Sequence, residues 1–528
     1  MQQREKTMIK EKELIEYVDT KKKVVLYGAG MVGGLVKCRL ESNHLESKIL
    51  CFVKSVVSGP DTYMGLDVIS LDSMGGMDED IAILVCALPV TQNEMVHELE
   101  LRSFYEYRLI SKELFLDLQK NYLREQQILN PGVRSQKFDV IFFSQDNNFT
   151  SGAFISMAGL CDEIQKKTGI KILVVLPRYG DGETLLKKYH LEYTYVNRET
   201  EWIREVQTGK ECADETCSIY CADEVRRLRT LIRDTGARLV HISGMFVFAG
   251  AIAAKEEGVS VIWHIRENIA TQGNGFINKK ASYALLNSSY AVVCVSQHVC
   301  QAYPGLEHSI VRVIYNGADD EKFFEKRNIF TSSITKIVMV GHITPLKGQE
   351  ILIRALEYLK SKHNELPYVT FVGGGDPKYL DELKKMVVNA GLENNVVFAG
   401  RTLEPENYYR QSDIAVSATS GGEGFDRVRI EAMLAGCLLI ANDLGAAREI
   451  VEDGESGYLY ENGSAVSLAS VIRNAMKSIH RSRKIAMFGQ KLCMEKFTKK
   501  YNADQVLALY REVMGIDYGK SAGIPGEF

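Results

Sequence analysis

Short apolar runs alternate with longer amphipathic segments along most of this 528-residue chain. Runs of strand length, each bounded by glycine or polar residues, include KKVVLYGAG, KFDVIFFSQD, IKILVVLP and TKIVMVGH. The segments between them are long enough for helices. This alternation is typical of α/β folds with parallel sheets, so we predict that architecture for the whole chain.

Three sections follow from the order of these runs. Residues 1–125 hold a charged helix and a glycine-bearing strand–helix unit, and the polar stretch to 136 predicts a linker because it ends in Asn-Pro-Gly. Residues 137–330 and 331–515 each resemble a complete doubly wound unit, and ligands bind between such units or at the carboxyl ends of their strands. Residues 516–528 contain glycine, proline and serine and predict a flexible tail.

Composition narrows the class of protein without naming an activity. Hydrophobic residues make up 45% and charged residues 25%, and the formal net charge of −4 argues against nucleic acid as a partner. No apolar run reaches the roughly 18 residues that span a bilayer, and the first residues lack the apolar core of a signal peptide. We therefore expect a cytoplasmic protein. The basic segment EVRRLRTLIRDTGARL either makes peripheral contact with the inner membrane face or forms a solvated helix face.

No metal site is predicted. The chain has eleven cysteines, and Cys212, Cys217 and Cys221 form their one sequence cluster. Its spacing matches none of the common zinc patterns, and no paired histidines lie nearby. We expect ordinary reduced thiols.

The stretch SGGEGFDRVRIEAMLAG, residues 420–436, carries the most specific candidate chemistry. Its glycines permit a tight turn and close approach of a ligand to the backbone. Asp426 is predicted to cap the helix that follows, and a helix start behind a glycine-rich loop favours a phosphate. Glu431, roughly 7 Å further along the axis, suits paired ribose hydroxyls, and Glu423 suits hydroxyls beyond the phosphates. Alone, the stretch favours a routine packed helix with one solvated carboxylate, because short motifs give many false positives.

An ordered set of further motifs changes that balance. Glu423-Gly-Phe-Asp, with Glu431-Ala-Met after seven intervening residues, resembles the motif of the retaining nucleotide-sugar glycosyltransferases of family 4. The segments VGHITPLKG, VGGGDP, VVFAGR, YYRQSDIAVSAT and AGCLLIANDLGAAREIVEDGESGYLY are similar to further landmarks of that family, in the same order. The resemblance covers about residues 138–515. It implies the GT-B fold of two Rossmann-like domains facing a cleft, preceded here by a third Rossmann-like domain.

The resemblance implies roles for residues of the donor half. The family's first glutamate contacts the donor sugar and its second holds the ribose, which implies these roles for Glu423 and Glu431. The arginine of its phosphate clamp falls on His342, directly after Gly341, and the lysine falls on Lys347. His342 departs from the family's arginine. A nearby diphosphate would favour its cationic form, and the alternative is a loop histidine that makes one hydrogen bond.

The donor loop keeps part of the family's motif and changes part of it. Gly424 and Phe425 match, and both are expected to contact the donor. Asp426 stands where the family usually has glycine, which would crowd or reshape the sugar pocket.

The acceptor half contains three candidate segments. NNFTSGAF resembles the family's glycine loop, which implies that Gly152 lies near the donor phosphate and the acceptor. In WHIREN, Arg266 stands where the family usually has a histidine, and His264 lies two residues earlier on the same strand face. Both are candidates for the cleft, and otherwise His264 is a satisfied strand histidine. Asn316-Gly317 matches the family's interdomain turn, where a structural role and a ligand contact both stay open.

Gly28, Gly30 and Gly33 follow a strand and open a helix, which is the setting of a dinucleotide fingerprint. An acidic residue at the end of the second strand should then meet the ribose, but Lys54 and Ser55 stand there. The section resembles Rossmann-like modules that precede some sugar-modifying bacterial enzymes. We expect a nucleotide-binding, docking or oligomerisation module rather than a redox domain.

The resemblance implies a retaining, metal-independent glycosyltransferase of bacterial surface polysaccharide or glycoconjugate synthesis. Its donor would be a nucleotide-diphosphate sugar, its acceptor a glycan, lipid-linked or protein hydroxyl, and no cofactor would be required. Lys347, His342 and the helix start would stabilise charge on the leaving phosphate. One alternative is a catalytically silent nucleotide-sugar binding or regulatory subunit. Another is a different GT-B enzyme, such as a phosphorylase or a non-hydrolysing epimerase.

Overall fold

The computed structural model describes most of the chain, in two compact units. The described residues are 8–55, 61–74, 81–87, 89–104, 106–129, 136–149, 151–196, 198, 201–205, 218–363, 366–402, 404–421 and 424–515. The first unit takes in the described parts of Met1–Lys137, Asp146–Phe154 and Leu173–Glu199. The second takes in those of Phe138–Gln145, Ile155–Ile172 and Thr200–Phe528.

Strands and helices alternate as the apolar pattern predicts. The strands are β1 Met8–Ile9, β2 Lys23–Tyr27, β3 Ile49–Lys54, β4 Asp61–Tyr63, β5 Leu66–Ser70, β6 Ile81–Val85, β7 Tyr107–Ile110, β8 Val140–Ser144, β9 Ile172–Leu176, β10 Glu192–Tyr195, β11 Ile203–Glu205, β12 Leu239–Ser243, β13 Ser260–Ile265, β14 Asn274–Phe276, β15 Ala291–Cys294, β16 Val311–Val313, β17 Lys336–Val340, β18 Tyr368–Val372, β19 Val396–Gly400, β20 Ile414–Ser417, β21 Leu438–Asn442 and β22 Tyr458–Tyr460. The helices are α1 Glu11–Thr20, α2 Met31–Glu41, α3 Pro89–Leu101, α4 Lys112–Leu129, α5 Gly152–Thr168, α6 Glu183–Lys188, α7 Ala222–Thr235, α8 Ala249–Glu256, α9 Lys279–Asn287, α10 Gln297–Gln301, α11 Asp320–Phe323, α12 Gln349–His363, α13 Pro377–Asn389, α14 Pro405–Arg410, α15 Arg427–Leu434, α16 Ala447–Ile450, α17 Ala465–Lys477, α18 Ile479–Lys496 and α19 Lys499–Met514.

The first unit is built on a mostly parallel sheet in the order β1-β7-β6-β2-β3-β5-β4. Strand β4 runs antiparallel to β5, and the other pairs are parallel. Strand β2 pairs with β3 on one side and β6 on the other, so the strand order reverses at β2. In such sheets the turn after the strand at the reversal point is a common ligand site.

The second unit holds the strand series β8-β12-β13-β15-β16 and a separate six-stranded sheet. The six-stranded sheet has the order β19-β18-β17-β20-β21-β22 and is parallel throughout. Leu352, Leu356 and Leu359 recur at helical spacing on α12 and are fully buried in the core that covers this sheet. The hydrophobic period therefore fixes which face of α12 packs inward.

The predicted α/β class is confirmed, with parallel sheets in both units. The three-section division at 136, 330 and 515 stays a prediction. The Asn-Pro-Gly of the expected linker and the expected tail at 516–528 lie outside the described residues. Within the part of the chain that the structure describes, no helix has the length and apolar character to span a bilayer.

The basic segment predicted either to touch a membrane or to form a solvated face is helix α7. Its arginines have acidic partners in the second unit. Arg229 Nε lies 2.7 Å from Glu257 Oε1, and Arg233 Nη2 lies 2.7 Å from the same oxygen. Much of the helix's positive charge is therefore matched within the chain.

Candidate functional site

The turns after β17 and β20 come together at one edge of the six-stranded sheet. The two strands are parallel neighbours, and the strand order reverses between them because β18 flanks β17 while β21 flanks β20. Their carboxyl ends thus form the kind of crevice where open α/β sheets bind ligands. Gly341, His342 and Lys347 follow β17, and the stretch singled out in the sequence follows β20.

Glycine geometry lets the two turns approach each other. Gly341 has φ +152° and Gly348 has φ +73°, which are backbone conformations that favour glycine. A Cβ on Gly348 would collide with the carbonyl oxygen of Ala418, which directly follows β20. The side chain of His342 is exposed, and its backbone carbonyl accepts a hydrogen bond from Gln349 Nε2 at 2.9 Å.

Lys347 connects the turn after β17 to the start of α15. Its Nζ lies 4.0 Å from Asp426 Oδ1, and the two side chains are 19% and 6% exposed. The other oxygen of Asp426 accepts a hydrogen bond from Ser417 Oγ at 2.8 Å and lies 3.5 Å from Arg429 Nε. The predicted clamp lysine is therefore held beside the donor loop by a buried carboxylate.

The prediction that Asp426 caps α15 through its side chain was wrong. Asp426 occupies the N-cap position, but its carboxylate accepts no hydrogen bond from the helix's N–H groups. Its Oδ2 instead accepts a hydrogen bond from Ser417 Oγ and lies beside the buried guanidinium of Arg429. Consequently the carboxylate does not satisfy the first N–H groups of α15, where a helix favours an anion.

Glu431 is buried one turn further along α15, and Arg427 partners it. Arg427 Nη2 donates to Glu431 Oε1 at 2.9 Å, while Arg427 Nη1 lies 3.4 Å from Ser156 Oγ on α5. Burial raises the pKa of the Glu431 carboxyl, and Arg427 partly offsets that effect. A carboxylate held in this way can accept hydrogen bonds from paired hydroxyls.

The loop between β20 and α15 is described at residues 418–421 and from Gly424 onward, and Glu423 lies outside the described residues. A Cβ on Gly424 would collide with the carbonyl oxygen of Arg266, so only glycine fits there. The Gly424 carbonyl accepts a hydrogen bond from Ser296 Oγ at 2.6 Å, and the Phe425 ring lies 5.7 Å from that of Tyr315. The donor loop therefore packs directly on residues that precede residue 330.

Arg266 follows β13 and is buried. Its Nε donates to Ser243 Oγ at 3.0 Å, and its Nη1 donates to Asn316 Oδ1 at 2.6 Å. Burial lowers the pKa of Arg266 to about 10, against the attraction of Glu267. The sequence allowed either a structural role or a ligand contact for Asn316. In the structure, Asn316 orients Arg266.

His264 belongs to a buried chain of polar side chains. His264 Nδ1 lies 3.3 Å from His241 Nε2, and His241 Nδ1 lies 2.8 Å from Tyr510 OH on α19. Burial, and then the nearby Arg266, hold the pKa of both imidazoles well below the usual histidine value. His264 is therefore neutral. Its side chain is buried from solvent. Its hydrogen bonding is incomplete, because Nε2 has no partner among the described residues.

Gly152 is the first residue of helix α5 and is exposed, as expected for a glycine loop that leads into a helix. It belongs to the first unit, whereas the turns after β17 and β20 belong to the second. Its predicted place near the donor phosphate stays a prediction.

The glycines of the first unit have the backbone geometry of a dinucleotide turn. Gly28 has φ +125°, and a Cβ there would collide with the carbonyl oxygen of Cys86. A Cβ on Gly33 would collide with the carbonyl oxygen of Gly28, while one on Gly30 would meet nothing within 4 Å. Lys54 ends β3 as the sequence suggested.

The sequence analysis did not single out four side chains that build this site. Arg427 and Arg429 fix the two carboxylates of α15, and His241 and Ser243 support His264 and Arg266. The run Asp-Arg-Val-Arg, residues 426–429, held a usable signal, since charges in an otherwise buried helix need partners.

Among the described residues, no group of three or more histidine, cysteine, aspartate or glutamate side chains is placed to hold a metal ion. Cys212 and Cys217 of the cysteine cluster lie outside those residues, and Cys221 is half-buried.

Two family models match the chain. One described as Glycosyltransferase Family 4 matches residues 150–322, and one described as Glycosyl transferases group 1 matches residues 319–491. The second match includes both turns of the candidate site. Together the matches confirm the resemblance found in the sequence.

Curated relatives match over part of their length. D-inositol 3-phosphate glycosyltransferase of Jonesia denitrificans is 32% identical over 180 residues, which are 33% of this chain and 42% of that protein. Poly(ribitol-phosphate) alpha-N-acetylglucosaminyltransferase of Staphylococcus aureus is 30% identical over 199 residues, which are 35% of this chain and 39% of that protein. The chain thus spans about two fifths of the length of these relatives.

Solved structures share the fold. Anabaena Alr3699/HepE in complex with UDP superposes with a TM-score of 0.60 at 21% identity, over 71% of this chain and 100% of that one. A glycosyltransferase from Rickettsia africae gives a TM-score of 0.59 at 20% identity, over 72% and 99%. These likenesses confirm the predicted GT-B fold.

Proposed function

Because the chain belongs to the GT-B glycosyltransferases of family 4, we propose that it transfers a sugar from a nucleotide-diphosphate sugar to an acceptor hydroxyl. The proposal includes retention of the anomeric configuration and independence from metal. The main support is that Lys347 Nζ lies 4.0 Å from Asp426, the residue before α15, at the point where the strand order reverses between β17 and β20. A cation and the N-terminal end of a helix at one crevice suit a diphosphate.

The proposed chemistry breaks the bond between the anomeric carbon and the diphosphate oxygen. Negative charge then develops on the leaving phosphate, where Lys347 and the first N–H groups of α15 stabilise it. Glu431 accepts hydrogen bonds from the ribose hydroxyls, and Glu423 orients the sugar and supports positive charge at its ring. The acceptor hydroxyl attacks from the face that the diphosphate leaves and passes its proton to the departing diphosphate oxygen, and no protein nucleophile is assigned.

Other parts of the proposal rest on the family alone. The acceptor is a glycan, lipid-linked or protein hydroxyl in the synthesis of a surface polysaccharide or glycoconjugate. The chain acts in the cytoplasm, with or without contact at the inner membrane face. Its first 125 residues serve as a nucleotide-binding, docking or oligomerisation module.

A catalytically silent nucleotide-sugar binding subunit is a second candidate. The observation that favours it is the carboxylate of Asp426, which lies 4.0 Å from Lys347 and weakens the positive field at the clamp. Such a subunit would bind the donor and release no nucleoside diphosphate.

A donor screen tests both candidates. Purified protein is incubated with UDP-, GDP- and ADP-sugars in the presence of a chelator, and both binding and nucleoside diphosphate release are measured. UDP-sugars come first, since a structural neighbour was solved with UDP. We expect release from one donor, lost in Glu423→Ala and Lys347→Ala. Lys336→Ala is the matched control because this exposed lysine begins β17, at the opposite end of the strand.

The outcomes separate the candidates. Binding without release, even with a panel of glycan and lipid-linked acceptors, selects the silent subunit. No binding of any donor contradicts both candidates. Equal loss in Lys336→Ala and Lys347→Ala would show that the effect is not specific to the clamp.

A further inference from the structure

Arg266 is a buried cation without a carboxylate in direct contact among the described residues. Its side-chain partners are the neutral Ser243 hydroxyl and Asn316 amide oxygen, at 3.0 and 2.6 Å. Its Nη2 is buried and has no hydrogen-bond partner in the described part of the chain. The neighbouring Glu267 uses one carboxylate oxygen to accept the Met245 N–H at 2.5 Å. A buried guanidinium with an unsatisfied N–H group costs folding free energy unless a further hydrogen-bond acceptor or counter-ion binds it.

A second arginine adds to the positive charge around Arg266. Arg427 lies close enough to lower the pKa of Arg266, and Glu267 acts in the opposite direction without cancelling the effect of burial. Arg427 donates a hydrogen bond to Glu431, the proposed ribose ligand, at 2.9 Å. The region around Arg266 therefore favours an additional anion.

His264 presents a second buried polar atom on the same side of the strand. Residues two apart on a strand point to the same face, and His264 Nε2, like Arg266 Nη2, has no partner among the described residues. The neutral imidazole can donate one hydrogen bond from Nε2 when His241 donates to its Nδ1, 3.3 Å away. Both atoms can donate a hydrogen bond to an oxyanion.

The subsite adjoins the donor loop. The backbone carbonyl of Arg266 packs so closely on Gly424 that no side chain fits at that glycine. Ser296 fixes the same residue through a 2.6 Å hydrogen bond to its carbonyl. The backbone of Arg266 thus lies directly against the loop that precedes α15.

Resting on the proposed function, we infer that the substrate carries an anionic group beyond the donor diphosphate, which Arg266 Nη2 binds with His264 Nε2 beside it. The group is a carboxylate or a phosphate, because the guanidinium matches the oxygens of both. It belongs either to an acidic donor sugar or to an acidic or phosphorylated acceptor. The donor diphosphate is a separate ligand, since Lys347 and the start of α15 receive it.

Two ligand pairs test this inference by calorimetry on the full chain. UDP-glucose and UDP-glucuronic acid differ in a carboxylate and represent the donor, with the GDP or ADP pair used if that base binds better. Methyl glucoside and its 6-phosphate, added with the nucleoside diphosphate, represent the acceptor. We expect the acidic member of one pair to bind about tenfold or more tightly, because charge-assisted hydrogen bonds are strong.

Two variants connect any preference to Arg266. Arg266→Gln should abolish the preference for the acidic ligand and leave nucleoside diphosphate affinity within about twofold of the wild type. Asn316→Asp places a carboxylate against Arg266 Nη1 without a change of size. It should also abolish the preference while raising the thermal midpoint, and this variant decides the question if Arg266→Gln does not fold.

Each outcome has a distinct meaning. A preference in the donor pair or in the acceptor pair identifies which substrate carries the anion. Equal affinity within both pairs, or a preference that survives in both variants, overturns the inference while nucleotide binding keeps the proposed function. No binding of UDP, GDP or ADP overturns the proposed function and this inference together.

Discussion

Two glycine turns in this chain share a backbone setting and differ in chemistry. Gly28 follows β2 and Gly341 follows β17, each with positive φ, at +125° and +152°. Each turn lies where the strand order of a parallel sheet reverses. By backbone alone, both are places where an α/β protein binds a nucleotide.

Side chains separate the two turns. Lys347 lies alongside Gly341 and reaches toward Asp426, and Glu431 follows on the helix behind it. A Cβ on Gly28 would collide with the backbone of Cys86, and one on Gly33 would collide with the backbone of Gly28, so steric fit dominates at that turn. The backbone sets where a ligand can bind, and the residues at the ends of neighbouring strands decide whether charge is available to bind it.

Replacing one lysine at each turn gives the strongest test of this contrast. We expect Lys347→Ala to reduce sugar transfer by about 10²–10³-fold, since it removes a preorganised cation from the leaving phosphate. Lys54→Ala, at the end of β3 near the other turn, should leave transfer unchanged. Initial rates of nucleoside diphosphate release measure both. An equal loss in Lys54→Ala would show that the first unit takes part in donor chemistry.

A smaller effect is expected from Glu431→Gln. The amide keeps the size of the side chain but loses the charge-assisted hydrogen bonds to the ribose, worth about 1.5–3 kcal/mol, so the nucleotide should bind roughly ten- to a hundredfold more weakly. Because burial raises the pKa of Glu431, wild-type affinity should also fall as acidification protonates this carboxyl. Calorimetry from pH 7.5 to pH 5 measures both effects. The variant should lose that pH dependence, and a variant that retains it would exclude Glu431 as the titrating group.

Much of the fold could be predicted from the sequence because its cause is local. The apolar period places β17, β20 and α12, and the glycines at 28, 341 and 348 are required by single backbone conformations. The family resemblance placed Lys347 and the helix start at Asp426 at one phosphate, and the structure brings these two residues together because β17 and β20 are parallel neighbours whose carboxyl ends meet at one edge.

The partners of the charged groups could not be predicted in the same way. Asp426 has the residue type and position of a helix cap, yet its carboxylate binds Ser417 and Arg429. The contact between Arg266 and Asn316 joins positions fifty residues apart in sequence. Such contacts depend on tertiary packing, which neither propensity nor periodicity encodes.

Two alanine substitutions in the first unit test whether steric fit determines which glycines the turn after β2 requires. Gly33→Ala should destabilise that unit by about 1–3 kcal/mol, because its Cβ would collide with the carbonyl oxygen of Gly28. Gly30→Ala should be nearly neutral, since its Cβ meets nothing within 4 Å and its φ is −152°. Thermal unfolding measures both, and donor binding should be unchanged in each. A large stability loss in Gly30→Ala would contradict the steric account.

Acid should weaken the second unit through its buried histidines. The pKa values of His241 and His264 are depressed in the folded state, so below about pH 6.5 the unfolded chain binds protons that the folded chain does not. Stability is therefore fully present above that pH and falls below it, by up to about 1.4 kcal/mol per pH unit for each histidine. Calorimetric unfolding at pH 7.5 and pH 5.5 should show a smaller downward shift in His264→Gln than in the wild type. The same shift in both proteins would mean that the acid sensitivity arises outside this pair.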